Sequence, residues 1–110
     1  MISVKVKHYL TEKGLDYFPI WFEHLFECIS NQIGFVEIGY SINKNEQVCN
    51  ILLLFDNNKN LNNWAMSSEH DEIVGKLNEY RTKSFLVERY YVPYQKICNV
   101  QKRAKKNIID

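Results

Sequence analysis

The sequence predicts one α+β domain with the element order β-α-β-β-α-β, and three observations carry the prediction. The first ten residues alternate apolar and polar side chains. A long segment from Leu15 to Ile33 carries apolar residues at helical spacing, and two strand-like segments then follow in direct succession across a polar turn. Elements in that order make a ferredoxin-like antiparallel sheet with both helical segments on one face. At 110 residues the chain is long enough to bury one core, with little surplus.

Each element has its own warrant. Ile2, Val4, Val6, His8 and Leu10 alternate with Ser3, Lys5, Lys7 and Tyr9, the period of a half-buried strand. "TEKG" turns the chain, and Asp16 is placed to cap a helix in which Pro19 is acceptable only within the first turn. Leu15, Phe18, Phe22, Leu25, Phe26, Ile29 and Ile33 form that helix's apolar face, and Gly34 supplies the left-handed residue that ends it. "FVEIGYSI" and "VCNILLLFD" are the second and third strands, joined by "NKNEQ". The third is apolar on both faces from Ile51 to Phe55, which calls for cover on both sides. The chain's own helices cover one face, so a partner subunit is inferred for the other.

"NNKNLNNWAM" reads as a short helix or turn. Ser68 and Asp71 have capping-box spacing at the start of the next helix. Ile73, Val74, Leu77 and Tyr80 give that helix its apolar face, with Gly75 expected at a close backbone contact. "SFLVERYYV" is the fourth strand, ended by Pro93. The domain is therefore placed at residues 1–93, and residues 94–110, with "QKRAKKN", form a basic tail whose simplest state is a solvated C-terminus.

Composition narrows the function. A net charge of +1 gives no global field to draw nucleic acid or an anionic membrane, and no aromatic platform accompanies the basic tail. Cys28, Cys49 and Cys98 are odd in number and lack zinc-ligand spacing, which predicts reduced thiols in a cytoplasmic protein and neither metal nor disulfide. "MISVKVKHYL" does not read as a signal peptide, and "ILLLF" is too short to span a bilayer.

The side chains able to carry chemistry are His8, Tyr40, Trp64, His70, Arg81 and Arg89. In "LNNWAMSSEHDEI", His70 shares the inward helix face with Val74 and Leu77. Its place in the first turn favours a neutral imidazole, whereas Glu69, Asp71 and Glu72 favour the charged form. It suits a base or a ligand's hydrogen-bond partner, and equally a lock at the helix join. Trp64 has core-facing spacing and either packs or stacks a flat ligand. His8 follows the buried parity of the first strand, where a satisfied core histidine competes with a ligand contact. His24, Tyr17, Trp21 and Cys28 share a stripe expected to pack against a partner or the tail. An inward Arg89 needs an acidic partner, most simply across a dimer, or an anionic ligand.

Several of these features resemble the antibiotic biosynthesis monooxygenase superfamily. They are "HYLTEKG" closing the first strand, "YFPIWF" in the helix, "IGF" opening the second strand, and the W..S..H pattern of Trp64, Ser67 and His70. The resemblance covers residues 1–92. It implies a homodimer whose two sheets face each other as an α/β barrel, with a ligand in each subunit between sheet and helices. Some members oxidise aromatic polyketides with O2 and no metal or flavin; others degrade haem or serve quinone or signalling chemistry. The haem-degrading pattern has an Asn late in the first strand, a Trp, and an iron-ligating His ten residues beyond it. Here those positions are Lys7 or His8, Trp64 and Val74, and the iron ligand is missing.

The cofactor-free branch needs a base, a group that stabilises an anion, and aromatic walls. The Asn, Trp, Tyr and Arg set of its polyketide oxidisers does not map onto this chain. The resemblance thus implies a cofactor-independent monooxygenase acting on a small aromatic or quinone-like molecule. His70 and Trp64 would be catalytic, and His8, Tyr40 and Arg89 would bind substrate. The alternative is a non-catalytic dimeric α/β barrel that binds a small ligand or stabilises an assembly.

Overall fold

Alternation in the first ten residues becomes strand β1 (Ile2–Leu10) in the computed structural model of the chain, which describes residues 1–92 and the backbone of 104–109. Helix α1 (Glu12–Ile29) follows, then the hairpin of β2 (Phe35–Asn43) and β3 (Val48–Phe55). The second helical segment is two short helices, α2 (Asn58–Ala65) and α3 (Ser68–Gly75), with a 3-10 turn at Asn78–Tyr80 before β4 (Arg81–Tyr91). The strands run β4-β1-β3-β2 with every pairing antiparallel, the ferredoxin-like order the sequence predicts. The backbone of 104–109 forms β5 (Ala104–Ile109), parallel to β2 at the sheet edge, so this part of the tail joins the sheet. Pro93 and the rest of the basic tail lie outside the described residues.

Register decides which side chains meet. Val4 stands opposite Leu53 and Arg89, Val6 opposite Ile51 and Val87, and His8 opposite Cys49. Paired residues point to the same side of a sheet, so these side chains share the face on which the helices pack, with Val87 and Arg89 of the edge strand β4 beyond their cover and exposed. Helix α1 lays Phe18, Trp21, Phe22, Leu25 and Ile29 on that face, all buried. At roughly 1.5–3 kcal/mol for each large side chain, this face contributes far more to holding the helix than its intrinsic propensity does.

The helix boundaries differ from expectation for local reasons. Thr11, not Asp16, caps α1, its hydroxyl accepting from the Gly14 amide at 3.1 Å. Pro19 therefore lies inside the helix and leaves the Leu15 carbonyl without its amide partner, a loss that burial of the adjoining face offsets. The helix ends at Ile29, and Ile33 is exposed. Gly34, at φ +89°, turns the chain into β2, where a Cβ would collide with Asp56 Oδ1. Ser67, not Ser68, caps α3 by accepting from the His70 amide at 3.1 Å. The third residue beyond that cap is a histidine, so no capping box forms. Gly75 has open space beside it, where an added Cβ would come no nearer than 3.9 Å to Asn78 Nδ2, and the close approach is instead at Gly14, where an added Cβ would lie 2.7 Å from Tyr80 Cβ.

The far face of the sheet is only partly covered. Ile51, Leu53 and Phe55 are buried under the helices, and on the far face Val48 and Leu54 are buried too, whereas Leu52 is 55% exposed and Leu86 and Tyr90 are exposed. No helix among the described residues is long and apolar enough to cross a membrane.

Candidate functional site

Short side chains make the site. Val4, Val6 and Val87 floor the space between the inner sheet face and the helices, and Ala65 leaves room at the end of α2. The result is a cavity of about 190 Å³ walled by Trp21, Leu25 and Ile29 of α1, Leu61 and Trp64 of α2, and Val74 of α3. Its polar groups are few: His8, His70 and Arg89.

His8 is 2% exposed, with the rings of Phe18, Trp21 and Phe85 around it. The β1–β4 register shifts between Lys7 and Tyr9, placing an irregularity beside His8 that can re-aim a side chain. Its Nδ1 lies 2.9 Å from Arg81 Nη1. A guanidinium only donates, so Nδ1 must accept and the ring proton must sit on Nε2. Burial, reinforced by the Arg81 charge, pushes the His8 pKa down to about 3. At neutral pH this is an uncharged imidazole whose remaining function is donation from Nε2–H. Arg81 is fixed in turn by Asn78 Oδ1 at 3.1 Å, the Val74 carbonyl at 3.3 Å, and the Phe85 ring 4.8 Å beneath it. Burial lowers its pKa, but a guanidinium keeps its proton in proteins.

His70 has the opposite character. Its side chain is 29% exposed, and its ring stands edge-on to Trp64 with centroids 5.4 Å apart. The Ser67 cap holds its backbone, and Asp71 Oδ1 lies 3.3 Å from Nδ1. Donation from Nδ1–H to that carboxylate leaves Nε2 as a proton acceptor. The structure thus brings His70, Trp64, His8 and Arg89 to one cavity. Trp64 is both core and wall, 3% exposed and lining the cavity.

Tyr40 is not brought there. Its ring packs in the core against Phe18 and Phe22, with centroids 5.4 and 4.4 Å away, because α1 lies directly over it. Trp21 was expected on an outward stripe with His24, yet it is buried and donates from Nε1 to the Ile73 carbonyl at 2.7 Å, tying α1 to α3. Arg89 finds no acidic partner among the described residues. Its Nη1 donates to Asn58 Oδ1 at 3.0 Å and Asn62 Oδ1 at 2.8 Å, one turn apart on α2. Phe85, which the sequence reading did not select, shares the parity of Val87 and Arg89 and lines the cavity.

Cys28 and Cys49 take no part in the cavity, and Cys98 lies outside the described residues. Burial pushes Cys49 up to about 12 and raises Cys28, chiefly by desolvation, so both stay protonated and serve packing. Among the described residues no cluster of three or more His, Cys, Asp or Glu side chains is placed to hold a metal.

No protein-family model matches the sequence, and no curated protein matches it. Solved structures share the fold. A conserved protein from Methanosarcina mazei Go1 superposes with a TM-score of 0.75 at 19% identity, covering 84% of this chain and 92% of its own. A Nitrosomonas europaea protein provisionally assigned as an antibiotic biosynthesis monooxygenase gives 0.75 at 8% identity, covering 86% and 100%. A further antibiotic biosynthesis monooxygenase gives 0.73 at 12% identity, covering 84% and 100%. At these identities the likeness is one of fold: the chain has an antibiotic biosynthesis monooxygenase-like fold.

Proposed function

We propose that this chain is a cofactor-independent monooxygenase that oxidises a small aromatic molecule with O2 in the cavity between sheet and helices. The supporting observation is the pair of histidines on its wall, one buried and committed to donating, the other at the mouth and able to accept. A phenolic ring bound between Trp21, Trp64 and Phe85 would lose its hydroxyl proton to His70. The His8 Nε2–H would stabilise the resulting oxyanion. The electron-rich anion passes one electron to O2, and the radical pair combines at a ring carbon to form a C–O bond. Loss of that carbon's proton with cleavage of the O–O bond leaves a carbonyl and releases water. Phenol plus O2 thus becomes quinone plus water, with both electron pairs supplied by the substrate.

Cavity size limits the substrate. An engineered cavity of about 150 Å³ accepts benzene, and drug-sized ligands need roughly 300 Å³ or more. At about 190 Å³ this cavity suits a single ring with small substituents and excludes a three-ring polyketide. Resorcinol is a suitable probe. Protein-dependent O2 consumption is expected, with one atom of ¹⁸O2 in hydroxyquinone and the other in water. Binding of single-ring phenols without O2 consumption would instead support a non-catalytic ligand-binding barrel.

A homodimer fits the same reading. On the outer sheet face Leu52 of β3 and Leu86 and Tyr90 of β4 are exposed on either side of Ser3, Lys5 and Lys7 of β1, and Asn50 Oδ1 beside Leu52 is buried without a hydrogen-bond partner. A second sheet packed there would cover these side chains and could satisfy that oxygen. Leu52→Lys is expected to convert a dimer to a monomer in light scattering, and a dimer that persists would refute this packing. The setting proposed for the chain is the cytoplasm, where thiols are kept reduced.

A further inference from the structure

Arg89 lies at the cavity with no acidic partner among the described residues. Asn58 and Asn62 hold it by amide oxygens, which fix the guanidinium without cancelling its charge. Both contacts use Nη1, leaving the Nε and Nη2 edge, the fork that matches a carboxylate in bidentate fashion. Behind His8, Arg81 adds a second cation whose described partners are likewise neutral. The cavity therefore combines apolar walls, positive charge and no carboxylate among the described residues that line it.

Its two polar ends are also spaced. Arg89 stands opposite Val4, and His8 is four residues further along β1, roughly 13 Å at strand rise. One ring with polar substituents at opposite ends would bridge the two side chains.

Resting on the reading of this cavity as the binding site, we propose that its ligand is a single-ring aromatic acid, with the hydroxyl at His8 and the carboxylate at Arg89. Arg89 is then the residue that selects for the acid. It is exposed, so water and salt weaken the pairing, and the preference should shrink as ionic strength rises.

Both tryptophans of the chain line the cavity, so intrinsic fluorescence reports its occupancy. The test compares 4-hydroxybenzoate with its uncharged analogue, 4-hydroxybenzamide. The wild-type protein is expected to bind the acid about tenfold more tightly. Arg89→Gln should abolish that preference. Asn62→Asp should abolish it as well, with the arginine still present but neutralised. Circular dichroism verifies that both variants fold. Equal wild-type affinities, a preference that survives both variants, or no binding of either compound would overturn the proposal. The preference together with no O2 consumption on resorcinol would sink the oxygenase reading and leave this one standing.

Discussion

Replacing His70 with Gln is expected to lower O2-dependent turnover by roughly 10²–10⁴-fold, the usual contribution of a positioned base. Ligand affinity read by tryptophan fluorescence should change little, because Trp64 and the apolar walls remain. Glutamine keeps a polar side chain on the Ser67-capped turn, where the cap bonds the backbone of residue 70 and not its ring. Loss of turnover would thus report chemistry and not a broken helix. His8 cannot substitute as the base: its Nδ1 is held by Arg81, and its pKa of about 3 leaves it unable to retain a proton near neutrality. Turnover at the wild-type rate in His70→Gln would remove His70 from the reaction.

His8→Phe is expected to have two separable effects. Removing the Nε2–H donor should lower turnover by roughly 10²–10³-fold, as loss of one oxyanion donor does. It should also change how stability depends on pH. The folded-state pKa of about 3 lies below the unfolded value of 6.5, so between them the unfolded chain binds the proton and the folded one does not. The contribution from a neutral, buried His8 is full above pH 6.5 and is lost as pH falls toward 3. Its slope within that window is about 1.4 kcal/mol per pH unit. Urea unfolding between pH 5 and 6.5, where most carboxylates stay ionised, should show the wild type weakening as the pH drops and His8→Phe weakening less. Parallel curves would mean that His8 is not held neutral in the folded state.

The fold was legible in the sequence because its signals are local. Alternation along β1 and the apolar face of α1 each repeat within a few residues, and the polar turn between β2 and β3 is contiguous. Caps were misplaced because Thr11 and Asp16, like Ser67 and Ser68, are both chemically able to cap. Only the backbone path decides which side chain folds onto an amide.

The site was half legible. Trp64 and His70 flank one short join, so their spacing exposed them. The pairing of His8 with Arg81 spans 73 positions and depends on the β1–β4 pairing with its irregularities. No periodicity carries that information. Tyr40 has the same inward parity as the cavity floor, but Phe18 and Phe22 sit above it, and a strand pattern does not record which helix residues lie overhead. Arg89 did point to an unmet need for an anion, yet the Asn-rich segment, read as a short helix or turn, gave no sign that Asn58 and Asn62 would hold it.

The central claim, that a single aromatic ring is bound and polarised between sheet and helices, is tested most directly by a crystal structure of the protein with 4-hydroxybenzoate. The account predicts the ring between Trp21 and Trp64, its phenolic oxygen about 3 Å from His8 Nε2, and its carboxylate on Arg89. A ring bound on the outer sheet face, or a cavity closed by its own side chains in the presence of saturating compound, would contradict it.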